Sequence, residues 1–228
     1  MRRSALYYFP LALPFFLAFI IILAVLVGLI EIGTLEYAYA KMGVDRHYIF
    51  TLLFLSLLGS YANIPIAELP AKPCVLSGHE ITFFGMRYII PMVPEGQRTV
   101  IAVNLGGAVI PTLLSIYLIA KNGLYVSSLV GVVIVTAIVH TIARPVEGVG
   151  IAVPTFVPPL VAASVALLLS RESAASLAYI CGSVGTLLGA DLLNLGKIQG
   201  LGAPVASIGG AGTFDGIFLT GILAVLLA

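Results

Sequence analysis

Two aspartates stand where apolar segments tolerate almost no charge. Asp191 lies near the end of one apolar run, in Gly189-Ala190-Asp191-Leu192-Leu193-Asn194. Asp215 opens the next, in Gly212-Thr213-Phe214-Asp215-Gly216-Ile217-Phe218. A charged side chain inside a membrane span costs about 2.5–3.5 kcal/mol on insertion scales, so its presence points to a use. If the two runs are antiparallel neighbours, both carboxylates lie at similar depth. Two carboxylates in one site do not both ionise easily, and the pair tends to hold one proton. One group can then activate a water while the other protonates a carbonyl oxygen. Either aspartate can take either part. Gly210, Gly212 and Gly216 surround Asp215 and would let a substrate backbone come close. A plainer role is also open to each carboxylate: Asp215 as a helix cap, and Asp191 as acceptor for a loop amide.

The other polar residues offer less. Arg144 and Glu147 flank Pro145 in the stretch from His140 to Gly150, where the proline breaks the helix and the charges can pair across the break. Pro154, Pro158 and Pro159 interrupt the apolar run that follows. Broken helices with charges are how transporters build substrate and ion sites. A secondary transporter or ion-coupled carrier using Asp191, Asp215 and Glu147 is therefore the alternative function. Asn194, with Arg144 and Glu147, is a supporting polar residue for either. Asn63 and Asn104 read as polar links between helices. Glu31 and Glu36 read as the solvated end of the first run. His47, His79 and His140 lack zinc spacing, Cys74 and Cys181 read as packing residues, and no metal or cofactor is expected.

The run Gly210-Ala211-Gly212-Thr213-Phe214-Asp215-Gly216-Ile217-Phe218 resembles the GxGD signature of intramembrane aspartyl proteases, the presenilin and signal peptide peptidase group. The resemblance covers about residues 180–228. It implies that Asp215 pairs with an aspartate on the preceding helix, the place Asp191 takes, and that the loop between them is cytoplasmic. The implied activity is hydrolysis of membrane-spanning peptide or protein substrates without a cofactor. Thr213 and Phe214 separate the Gly-Ala-Gly from Asp215, and Ala190 precedes Asp191 where the family usually has tyrosine. The family's Pro-Ala-Leu motif is missing, and the family has nine spans. The whole chain also resembles multi-spanning prokaryotic membrane families, which implies no activity.

These residues need a scaffold, and composition says which kind. The chain has 228 residues, 60% hydrophobic and 9% charged, with mean hydropathy +1.14. A soluble domain carries about 25% charged residues. That excludes a soluble enzyme, a disordered chain and a disulfide scaffold, and a net charge of +1 excludes a nucleic-acid binder. The expected fold is an all-α integral membrane protein, one domain over residues 1–228. Seven spans are expected, at about 10–33, 47–63, 99–120, 124–142, 151–170, 174–195 and 213–228. Between the second and third, Ile81 to Ile90 is too short to span and reads as an interfacial hairpin or loop. Gly182, Gly185 and Gly189 mark a helix face for close packing, whereas the glycine-rich stretch from Gly196 to Gly212 reads as a flexible or strained link. Lysines and arginines divide seven to four between the two sides. That favours a plasma-membrane protein with a cytoplasmic N-terminus and a cytoplasmic loop between the sixth and seventh spans. Oligomeric state leaves no mark.

Overall fold

The computed structural model describes residues 20–28, 33–69, 80–83, 86–89, 99–146, 150–198, 205–210 and 216–228, with backbone alone for 80–83 and 86–89. Asp215, Gly212 and Glu147 lie outside the described residues. Two compact units are present, Met1–Tyr37 and Ala38–Ala228. In the first, residues 20–28 are helical.

The second unit is built on helices. They are α1 (Thr34–Lys41, which starts in the first unit), α2 (Arg46–Gly59), α3 (Ile110–Asn122), α4 (Tyr125–Ile142), α5 (Val157–Leu169), α6 (Ala174–Thr186) and α7 (Gly216–Leu227). A π turn, Leu105–Val109, leads into α3, and a second, Leu187–Asp191, continues α6. A 3-10 turn, Leu192–Asn194, and a short helical turn, Leu195–Ile198, complete that rod.

Among the described residues three helices are long and apolar enough to cross a membrane: Leu105–Asn122 and Tyr125–Ile142, of 18 residues each, and Ala174–Ile198, of 25. At 1.5 Å per residue they measure about 27, 27 and 37 Å, against a hydrocarbon core of about 30 Å. The protein is accordingly a membrane protein. The expected seven spans are not supported among the described residues, and most of the first, at about 10–33, lies outside them. Helices α2, α5 and α7 have 14, 13 and 12 residues. They reach only about 18–21 Å.

Strands are also present, so the all-α expectation is corrected as well. β1 (Asn63–Leu69), β4 (Thr99–Asn104) and β7 (Val205–Ile208) form one sheet in the order β1-β4-β7. β1 is antiparallel to β4, with a register shift between Pro65 and Ala67, and β4 is parallel to β7. A proline is tolerated there because β1 is an edge strand and the shift marks a bulge. β2 (Glu80–Phe83) and β3 (Met86–Ile89) pair antiparallel, which makes the short segment a hairpin. β5 (Arg144–Val146) pairs with β6 (Gly150–Ala152). Pro158, expected to interrupt a span, instead sits in the first turn of α5, where its missing N–H costs nothing.

Helix α6 is the axis of the bundle, packed on by α3, α4, α5 and α7. All residues from Ala174 to Ser183 are buried. Glycine permits this closeness. A Cβ at Gly185 would lie 2.8 Å from Val135 Cγ1, and one at Gly189 would lie 2.6 Å from the Thr136 carbonyl oxygen. The outer faces are apolar instead: Val126, Leu129 and Val133 on α4 and Leu160 and Leu168 on α5 are exposed. That inversion suits a lipid surround, in which packing rather than hydrophobic exclusion holds helices together.

The bundle has two distinct ends. At one, the Lys41 Nζ donates to the Val225 carbonyl at 3.5 Å, Lys121 donates to the Gly43 carbonyl, and Ser176 Oγ donates to the Met42 carbonyl at 3.2 Å. The β1-β4-β7 sheet and both π turns lie at the other.

Candidate functional site

The site is assembled where helix gives way to strand. Asn104 ends β4 and caps the first π turn, its Oδ1 accepting the Gly107 N–H at 2.8 Å. Its Nδ2 donates to the Ser60 carbonyl at 2.7 Å and to Asn63 Oδ1 at 3.1 Å. Ser207 Oγ, from β7, donates to the same Asn63 oxygen. One buried amide thus joins the ends of α2, β1, β4 and the sheet's third strand. Leaving such a buried amide's donors and acceptors unused is costly, and Asn104 uses both its Oδ1 and its Nδ2.

Asp191 is the last residue of the second π turn. Its Oδ2 accepts the Gly209 N–H at 2.6 Å. Gly209 follows β7 directly and has φ +80, a conformation that glycine adopts without strain. It also lies against the first π turn, since a Cβ there would be 2.6 Å from the Ala108 nitrogen. Gly209 therefore bridges the two irregular turns, tied to one by backbone approach and to the other by a carboxylate.

Asn194 sits beneath this contact and is fully buried. Its Nδ2 lies 2.9 Å from the Gly189 carbonyl and 2.9 Å from the Ala190 carbonyl, donating to both. His140, from the end of α4, places Nδ1 3.3 Å from that Nδ2 and 3.4 Å from the Gly189 oxygen. π turns recur at functional sites because they free backbone groups and re-aim side chains. Here two carbonyls of the π turn accept from a side chain further along the same rod.

Of the residues expected from the sequence, Asp191, Asn194 and Gly210 meet in this region. A Cβ at Gly210 would meet Ser207 and Asn104, so its missing side chain makes room for the protein's own polar cluster. At Gly216, the first residue of α7, a Cβ would meet nothing. Arg144 is exposed at the start of β5, opposite Ala152, and the hairpin's second strand lies against the second π turn. The Asp215 partner, the Glu147 pairing and the space at Gly212 lie outside the described residues. Asn63, Asn104, Ser207, Gly209 and His140 are site residues that sequence reasoning left aside. Asn104 followed by Leu105-Gly106-Gly107 was the available signal, a side-chain cap before a glycine pair. Among the described residues, no group of three or more His, Cys, Asp or Glu is placed to hold a metal ion.

A protein-family model described as a protein of unknown function (DUF1614) matches residues 57–227, about three quarters of the chain. The match takes in every residue of this site. No curated protein and no solved structure matches the chain.

Proposed function

The chain belongs to the DUF1614 family, and from that starting point we propose that it is an intramembrane hydrolase of the aspartyl protease type, cutting peptide bonds of membrane-spanning segments. The observation that carries the reading is the Asp191–Gly209 contact. It fixes a carboxylate of a spanning rod beside Gly209, and the sequence runs on from there through Gly210 to Asp215, the residue before Gly216. One carboxylate would activate water and the other would protonate the scissile carbonyl, or the leaving amine in the reverse role. A helical substrate must unwind before it is cut, because its own hydrogen bonds occupy the backbone. Among the described residues β7 is an edge strand that ends at Ile208, just before Gly209, so an unwound segment paired with it would run toward Asp191. The sheet end of the bundle, with Arg144 and Lys197, would face the cytoplasm.

The test is proximity. Asp191→Cys with Asp215→Cys, in a background with Cys74 and Cys181 replaced by alanine, should form an intramolecular disulfide in native membranes. A disulfide requires Cα atoms within about 7 Å. No bridge under mild oxidant would remove the dyad.

A second reading, an ion-coupled carrier, is favoured by the two π turns that break otherwise apolar helices around Asn104 and Asp191. Aspartate-dependent proton or solute flux into vesicles, with no peptide products from spanning peptides, would support it over hydrolysis.

A further inference from the structure

Resting on the hydrolase reading, we infer that Asn194 and His140 are positioning residues for Asp191, holding open the π turn that aims its carboxylate at Gly209. In a continuous α-helix the carbonyls of Gly189 and Ala190 would accept from the backbone N–H groups four residues on. The rod does not continue that way. It passes from a π turn at Leu187–Asp191 to a 3-10 turn at Leu192–Asn194, a change of winding centred on Asp191. Asn194 Nδ2 has two hydrogens, and both are taken by these carbonyls at 2.9 Å. The opposite amide orientation would set Oδ1 against two carbonyl oxygens and is repulsive. His140 Nδ1, facing the Asn194 nitrogen and the Gly189 oxygen, then carries its own hydrogen toward Gly189. Two donors from two elements thus converge on the carbonyl two residues before Asp191. The rod cannot shift sideways to relax, because the Gly189 backbone already lies against Thr136 and Val139 of α4. Removing the donors leaves the two carbonyls to recover backbone partners by rewinding, which turns Asp191 away from β7.

The experiment reads the Gly209 amide by NMR in the full-length protein, 15N-labelled and reconstituted in lipid nanodiscs. Asp191→Asn calibrates it, since the downfield shift expected of an amide donating to a carboxylate should shrink. Asn194→Asp keeps the side-chain shape and removes both donors. It should move the Gly209 amide to the Asp191→Asn position or beyond and speed its hydrogen exchange by about tenfold, the loss of one hydrogen bond. His140→Leu should give a smaller change of the same sign, reversed by His140→Gln, which restores a donor; this pair decides if Asn194→Asp fails to insert. A Gly209 amide unchanged in Asn194→Asp, or equally changed in His140→Leu and His140→Gln, overturns the inference. Cleavage is read separately. Amide shifts that behave as described in a protein that cuts nothing uphold the positioning role and refute hydrolysis.

Discussion

Replacing Asp191 separates what its carboxylate does for folding from what it does for chemistry. Gly209 is buried, and its N–H reaches Asp191 Oδ2 at 2.6 Å. Asp191→Ala removes the acceptor and leaves a buried donor unpaired. That costs about 1.5–3 kcal/mol, the range for a lost hydrogen bond to a charged group. Asp191→Asn retains an oxygen at nearly the same place and gives up only the charge assistance, so the cost should stay near or below about 1 kcal/mol. For a chain of this size 1 kcal/mol corresponds to about 2–4 °C in thermal midpoint. Asp191→Ala should therefore lower the midpoint by about 3–12 °C, and Asp191→Asn by about 4 °C at most. The assay is thermal unfolding in detergent followed by cysteine accessibility at Cys181, which is fully buried in the native bundle. Equal midpoints for the two variants would refute the reasoning, as would a wild-type midpoint for Asp191→Ala.

Gly189→Ala should lower the same midpoint by the equivalent of about 1–3 kcal/mol, because the new methyl lies 2.6 Å from a backbone oxygen of α4 that has no rotamer to change. Asn104→Ala strips the Ser60 carbonyl and the Gly107 N–H of their partner, so about 2–4 kcal/mol should be lost; Asn104→Asp, which keeps the cap and loses the donors, should recover part of it. Cysteines at Arg144 and Lys197 should react with an impermeant thiol reagent from one side of the membrane, and cysteines at Lys121 and Arg171 from the other. Labelling of all four from one side would contradict the two-ended bundle.

Helices α4 and α6 were legible because each is one long apolar run bounded by polar residues, and hydropathy measures that directly. The strands were not. Val100-Ile101-Ala102-Val103 is as apolar as any span, and only its β-branched content separates it from one. Its partners lie elsewhere in the chain: β1 some forty residues before, and β7, in parallel register, about a hundred residues after. No local pattern records a parallel pairing at such separation. For the segment of β2 and β3 a hairpin was one of the two readings the sequence left open, a loop being the other, since its run is too short to span; the antiparallel pairing decides for the hairpin. At the site, Asp191 stood out because charge in an apolar run is costly. That it accepts from a loop amide was also expected, and Gly209 supplies that amide; which residue would do so was not legible, because a backbone amide has no sequence signature. Asn104 does link the end of α2 to the next helical segment, as its type suggests, but it does so as a cap at the end of β4, where helix is expected to continue.

The central claim is that Asp191 and Asp215 together hydrolyse a peptide bond. It is tested most directly by reconstituting the wild type, Asp191→Asn and Asp215→Asn in liposomes with a panel of spanning peptides and reading product ends by mass spectrometry. A two-carboxylate mechanism requires discrete cleavage within the spanning segment by the wild type and none by either variant, with both variants folded by the midpoint assay. Cleavage that survives at the wild-type rate in either variant, or a wild type that cuts no peptide in the panel, would contradict it.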